Sequence, residues 1–281
     1  MTERYGVKMK KALLINDMAG YGKVALSAMI PVLSHMETEV FNLPTALVSN
    51  TLDYGKFAIL DTTNYMRQTL TTWDELGFSF DAIAAGFIVS AEQVQLIVDY
   101  CRKQHEKGVW VFTDPIMGDD GHLYNGVTPQ TIENMRHLVA VSDIIVPNQT
   151  EAAYLASNNC AAKDMTRAET EGLLDHLRNL GAKSVIVTSA SVEGQKQVCG
   201  YDKNTDEYFF LPFEEIPIRF PGTGDIFAAL VFGKMLGGEN LKTATQAAMR
   251  TVEKIIRLNK DNADKYKGIP IEMYLKTIDE E

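Results

Sequence analysis

Short apolar runs of strand length alternate with longer segments of helical period along most of this 281-residue chain. That alternation confines it to βαβ architectures built on a parallel sheet. The runs fall at residues 11–15, 40–43, 82–88, 109–113, 143–146 and 184–188, the last four read as short and apolar with a polar C-terminal end. Between them, residues 91–107, 129–139 and 167–180 carry apolar side chains at three-to-four spacing, the signature of covering helices, and further helices are expected over 24–33, 226–236 and 241–258. Residues 197–201 and 207–211, separated by a polar turn, predict an antiparallel hairpin at a sheet edge. With 46% apolar residues the chain can bury a large core, and with no repeat or linker the expectation is one domain over residues 1–281.

Several function classes are excluded early. A net charge of −10 and a pI near 5.1 leave no basic stripe for a phosphodiester backbone, so nucleic acid is not expected as a partner. Cys101, Cys160 and Cys199 are far apart and read as reduced core residues, and His35, His105, His122, His137 and His176 contain no HExxH pair. The apolar run 12–15 after the basic start is too short for a signal-peptide core or a membrane span, so a cytoplasmic protein is expected.

In open parallel sheets, ligands bind beyond the carboxyl ends of the strands. Asp17, Phe87, Asp114, Asn148 and Thr188 are expected there, at or just after strand ends. The segment Pro221-Gly222-Thr223-Gly224-Asp225 precedes an apolar helix, so its glycines would offer backbone N–H groups to phosphate oxygens at a positive helix N-terminus. Alone, it reads equally well as an ordinary turn with Asp225 near an N-cap. No GxxxxGK[ST] loop occurs, so a nucleotide would have to be held without a P-loop. Asp114, Asp119 and Asp120 crowd one strand end, a pattern suited to Mg²⁺ or to a solvated acidic turn. Asn148 and Glu151 stand at another, where a first-turn carboxylate also serves the helix dipole. Thr188 and Ser189 add hydroxyls, for a phosphate or for solvent.

In this order and spacing, DPIMGD, VPNQTE, VIVTSA and PGTGD strongly resemble the ribokinase-like superfamily, over about residues 11–258. The segments NDMAGYGK, LPT with SNT, and AGF resemble its pyridoxal and pyridoxamine kinase branch most closely. The resemblance implies a three-layer α/β/α fold with a central, mostly parallel sheet and an antiparallel edge hairpin. It also implies transfer of a phosphoryl group from ATP to the 5'-hydroxymethyl group of a B6 vitamer. Carried over by position, Asp225 is the catalytic base and Gly222, Thr223 and Gly224 form the anion hole. Asp114, Asn148, Thr188, Ser189 and Thr223 serve ATP, while Asp119 and Glu151 serve Mg²⁺ beside a monovalent cation, K⁺ or Na⁺. Asp17, Val24, Leu52 and Phe87 contact the vitamin ring, the stretch through Gly121, His122 and Tyr124 is a flexible flap, and the protein is a homodimer.

The chain departs from that branch at three of these positions: many pyridoxal kinases have serine for Asp17, tyrosine for Phe87 and threonine for Leu52. Phe87 keeps an aromatic face for stacking, and the Asp17 carboxylate offers a charge-assisted bond to a protonated ring nitrogen or a ring substituent. The changes leave the preferred vitamer open. A hydroxymethylpyrimidine kinase of thiamine synthesis is the alternative within the fold, and a non-catalytic B6-binding protein the alternative outside enzymes. A sugar kinase is disfavoured, because the N-terminal Gly-Gly-x-x-x-Asn type of segment is absent.

Overall fold

The computed structural model of the protein describes residues 9–124, 127–157 and 164–280. Its first half runs β1 (Lys11–Ala19), α1 (Leu26–His35), β2 (Glu39–Val48), β3 (Ile59–Asp61), α2 (Thr63–Glu75), β4 (Ala82–Ala85), α3 (Ala91–His105), β5 (Trp110–Thr113), β6 (Gly118–Asp119) and β7 (His122–Leu123). Then follow α4 (Pro129–Val139), β8 (Ile144–Ile145), α5 (Gln149–Ser157), α6 (Arg167–Asn179), β9 (Ser184–Val192), β10 (Gln195–Asp202), β11 (Glu207–Pro212), α7 (Thr223–Leu236) and α8 (Leu241–Leu258).

Nine strands form one sheet in the order β11-β10-β9-β8-β5-β4-β1-β2-β3. From β2 to β9 the pairing is parallel; β10 and β11 at one edge and β3 at the other are antiparallel. Helices cover both faces, which is why the central strands are apolar throughout rather than alternating. Along β1, Leu13 and Ile15 join the core beneath α2 to α6, while Ala12 and Leu14 join the core beneath α1, α7 and α8. The result is the expected three-layer α/β/α arrangement. No helix among the described residues is long and apolar enough to cross a membrane.

The expected hairpin is β10–β11 at the sheet edge, and α4 and α8 keep their expected bounds. Three expectations need correction. Asp17 and Thr188 lie inside strands rather than at their ends, because β1 continues to Ala19 and β9 to Val192. The run ending at Leu43 also continues, through Pro44 to Val48, beside a register shift against β1 at Asn16/Met18. Finally, β3 and α2 escaped the periodicity, since β3 has three exposed residues and α2 buries only Thr63, Met66, Thr69 and Leu70. Cys101 and Cys199 are buried free thiols, each pushed up to about 12 by burial; Cys160 lies outside the described residues.

Candidate active site

The helix α7 is preceded by Gly222 at its N-cap, whose φ of 84° puts it in the left-handed region that glycine tolerates. A Cβ at this position would stand 2.0 Å from the Lys23 carbonyl oxygen, so both the turn and the packing demand glycine. Around Gly224 a Cβ would meet nothing within 4 Å, which leaves the first turn of α7 open. Thr223 donates its hydroxyl to the Phe220 carbonyl at 3.1 Å, bracing the turn. Free backbone N–H groups, a helix dipole and an open approach together make an anion site.

Asp225 stands in that first turn. Its carboxylate accepts hydrogen bonds from the Ala25 backbone N–H and from the Asn16 side chain, yet burial outweighs them and raises its pKa to about 6. Ala25 is held at φ 48° and ψ −133°, a costly conformation for a residue with a Cβ, where it also starts α1. Asn16 is 3% exposed, and its Oδ1 accepts the Phe87 N–H at 2.8 Å and the Asp17 N–H at 2.9 Å. Asp17 is half-buried, and burial first, then the charge of Asp225, raises it to about 7. Thus the base candidate, Asp17 and the Phe87 backbone share one buried amide.

A second set of carboxylates meets Asp225 from the β5 and β8 sides. Burial, then Glu151, then Asp225 raise Asp114 well above the usual carboxylate range. Asp119 is raised by burial and lowered by its bond from the Asp120 N–H and by the charges of Arg219 and Lys196. Glu151 and Asn148 form a reciprocal cap on α5: the Glu151 N–H donates to Asn148 Oδ1 at 3.0 Å and the Asn148 N–H to Glu151 Oε2 at 2.9 Å. Glu151 Oε1 also accepts the Met117 N–H at 2.9 Å, and Asn148 Nδ2 donates to the Gly118 carbonyl at 2.7 Å. These bonds fix the strand from which Asp119 projects. Burial still raises Glu151 overall.

The expected flap is a β6–β7 hairpin closed by Asp120 (φ 48°) and Gly121 (φ 81°), an Asp-Gly turn of the type that suits strand twist. Asn125 and Gly126 lie outside the described residues. Across the cavity, Thr188 and Ser189 together face the single residue Val198 of β10, a bulge in which Ser189 takes φ 56°. The bulge turns both residues toward the α7 N-terminus.

One cavity of about 230 Å³ collects Asp114, Asp119, Asn148, Glu151, Thr188, Ser189, Gly222, Thr223, Gly224 and Asp225. Of the residues expected at the ring, Asp17 and Phe87 reach Asp225 through charge and through Asn16, and Val24 abuts Gly222. Leu52 stands apart, 49% exposed on a turn tied to the C-terminal segment by Thr51 and Tyr54. Sequence reasoning missed a neighbouring cavity of about 460 Å³ that shares Thr188, Ser189, Thr223, Gly224 and Phe227. Its apolar walls, Val198, Leu211, Met249, Val252 and Ile256, come from β10, β11 and α8, which no linear motif connects. Arg219 and Lys196 were missed as well; both line a cleft with Asp119 and Ser189. Among the described residues, no three metal-ligating side chains form a ready-made metal site.

Residues 19–270 match the family model described as phosphomethylpyrimidine kinase. The pyridoxine/pyridoxal/pyridoxamine kinase of Bordetella avium is 30% identical over 82% of this chain and 79% of its own. The pyridoxal kinase PdxY of Leifsonia xyli is 28% identical over 86% and 87%. A Bacteroides thetaiotaomicron crystal structure with pyridoxal, described as a phosphomethylpyrimidine kinase, is 32% identical with a TM-score of 0.91, covering 97% of this chain and 96% of that one. Pyridoxal kinase from Lactobacillus plantarum is 26% identical with a TM-score of 0.86, covering 96% and 97%.

Proposed function

Because the chain belongs to the phosphomethylpyrimidine kinase family, within which B6-vitamer kinases are among its curated relatives, we propose that it transfers the γ-phosphoryl group of ATP to the 5'-hydroxymethyl group of a B6 vitamer. The observation that carries this reading is the pairing of Asp225 with an open, glycine-started helix N-terminus in one cavity.

Phosphoryl transfer asks for position and charge stabilisation more than for covalent chemistry. Asp225, ionised at neutral pH and oriented by Ala25 and Asn16, accepts the proton of the alcohol as its oxygen attacks the γ-phosphorus. The O–H bond breaks, a P–O bond forms, and the bond to the β-phosphate oxygen breaks to leave ADP. The N–H groups of the Gly222–Gly224 turn face the charge that grows on the transferring group. Thr188 and Ser189 contact phosphates from the β9 bulge, and the apolar cavity beside them takes the base of the nucleotide. Asp17, Val24 and Phe87 complete the reading on the alcohol side, where Leu52 is assigned by the family resemblance alone.

The residues fit magnesium. Asp114, Asp119 and Glu151 bring carboxylates into one phosphate cavity and are all raised by burial, so a cation bound there would restore their charged forms. Asp119 would hold Mg²⁺, with Glu151, whose oxygens are engaged by backbone, joining through water. Bound there, the ion would neutralise the triphosphate and polarise the γ-phosphoryl group. The proposal also includes a monovalent cation, a cytoplasmic setting and a homodimer. Exposed Leu47, Phe57, Ile59 and Leu60 at the β3 edge support the dimer, since an apolar strand edge is normally covered.

A second reading, phosphorylation of a hydroxymethylpyrimidine, is favoured by the description of the matching family model. One Mg-ATP assay separates them by comparing kcat/KM for pyridoxal, pyridoxine, pyridoxamine and hydroxymethylpyrimidine. The proposal expects turnover of at least one vitamer above that of the pyrimidine. Turnover of the pyrimidine alone overturns it, and stoichiometric vitamer binding without ADP formation replaces it with a binding protein.

A further inference from the structure

We propose that Asn16 is a positioning residue, one side-chain amide that aims the Asp225 carboxylate and ties it to the Phe87 backbone of the alcohol pocket. The inference rests on the role of Asp225 proposed above.

The amide orientation follows from its partners. Its Oδ1 accepts two backbone N–H groups, from Asp17 and Phe87, so that end must be the oxygen. The other end, Nδ2, is therefore the donor to Asp225, and it also stands 3.6 Å from the Met29 sulfur. At 3% exposure no solvent molecule can substitute freely for these bonds, and a buried amide that loses one leaves a partner unpaired.

The surroundings are shaped to hold this amide. Gly86, immediately before Phe87, passes so close that a Cβ there would stand 2.5 Å from Asn16 Nδ2 and 2.8 Å from its Oδ1. Asn16 also lies on β1 at the point where the register against β2 shifts, and the loop that follows β1 meets the start of α7 at Gly222. Four segments distant in sequence therefore converge on one side chain: β1, the β4–α3 loop, α1 and the start of α7. A side chain serving only the fold would have no need to reach the carboxylate.

Two substitutions divide its contacts. Asn16→Asp keeps an oxygen for the Phe87 and Asp17 N–H groups but replaces the donor with a like charge against Asp225. Asn16→Ala removes both. Steady-state kinetics with Mg-ATP and the preferred vitamer should show kcat lowered about tenfold or more in Asn16→Asp with vitamer KM within about threefold, and both parameters worsened in Asn16→Ala. ADP affinity, read separately by titration, should stay within about twofold in each, which also reports that the nucleotide half of the protein is folded. Placed in an Asp225→Asn background, Asn16→Asp should lower kcat by less than about twofold, because the group it acts through is gone. Gly86→Ala, which presses on the same amide without removing it, should lower kcat in the same direction.

Wild-type kcat in Asn16→Asp, or a full further loss in the Asp225→Asn background, overturns the inference. Near-normal turnover of Asp225→Asn alone overturns instead the reading on which it rests, so the two failures are distinguishable.

Discussion

Gly222 and Lys23 meet so closely that a single Cβ on the glycine would lie 2.0 Å from the Lys23 carbonyl oxygen. This contact joins the loop before α1 to the turn that starts α7, and so sets the distance between the alcohol side and the phosphate side. Gly222→Ala therefore faces a backbone collision in addition to its left-handed φ of 84°. The expected result is a loss of about 1–3 kcal/mol of stability, with kcat falling more than the KM for either substrate. Thermal unfolding and steady-state kinetics on the same preparation test it.

Acid should switch the reaction off above the range of an ordinary aspartate. Asp225 acts as a base only when ionised, and burial raises it to about 6. The acid limb of kcat/KM is expected to centre near that value, with activity lost as pH falls through it. A limb centred near the ordinary aspartate value of 3.8 would contradict this placement.

The same burial gives an opposite effect on stability. Asp17 is raised from 3.8 to about 7, so its proton is bound more tightly in the folded than in the unfolded chain. Its stabilising share is complete below about pH 4 and is lost as pH rises through about 7. Asp17→Asn should accordingly stabilise the fold at pH 8, by on the order of 1 kcal/mol, while weakening turnover of the vitamer. Denaturant melts at pH 5 and pH 8 measure it, with the larger difference expected at pH 8.

Asn148 caps α5 through Oδ1 and holds the Gly118 carbonyl through Nδ2. Asn148→Ala removes both bonds and should cost about 1–2 kcal/mol, typical of a lost N-cap. Because Gly118 precedes Asp119, the Mg²⁺ concentration giving half-maximal activity should also rise. A Mg²⁺ titration of activity checks the second effect independently of the melt.

The apolar cavity beside Thr223 should belong to the nucleotide. Val252→Trp would fill part of it from α8. The KM for ATP is expected to rise about tenfold or more, with the vitamer KM within about threefold, as follows when binding of one substrate alone is blocked.

Much of the architecture could be read from local pattern. Helix α8 was legible to the residue because its apolar stripe is continuous between Asn240, which caps it, and Asn259. The parallel core was legible because strands buried on both faces are apolar at every position, as Ala12 to Ile15 are. Strand β3 and helix α2 were not, since neither buries enough to impose a period.

Within the site, glycine at 222 and the carboxylate at 225 were visible because a turn and a helix start leave a local mark. Asn16, Ala25 and the lining of the nucleoside cavity leave none. Asn16 acts through three partners brought by other segments, and Ala25 is strained only because the path from β1 to α1 forces it. The Thr188–Ser189 bulge depends on β10 supplying one residue opposite two, a relation between strands that neither sequence segment carries alone.

The account turns on Asp225, and one comparison tests it most directly: phosphoryl transfer from Mg-ATP to pyridoxal, pyridoxine and pyridoxamine by wild type and by Asp225→Asn, with ADP binding measured on both. The expected result is 5'-phosphate and ADP from the wild type, and turnover at least about a hundredfold lower in Asp225→Asn with ADP affinity retained. Near-normal turnover by Asp225→Asn, or no phosphorylated vitamer from the wild type, would contradict it.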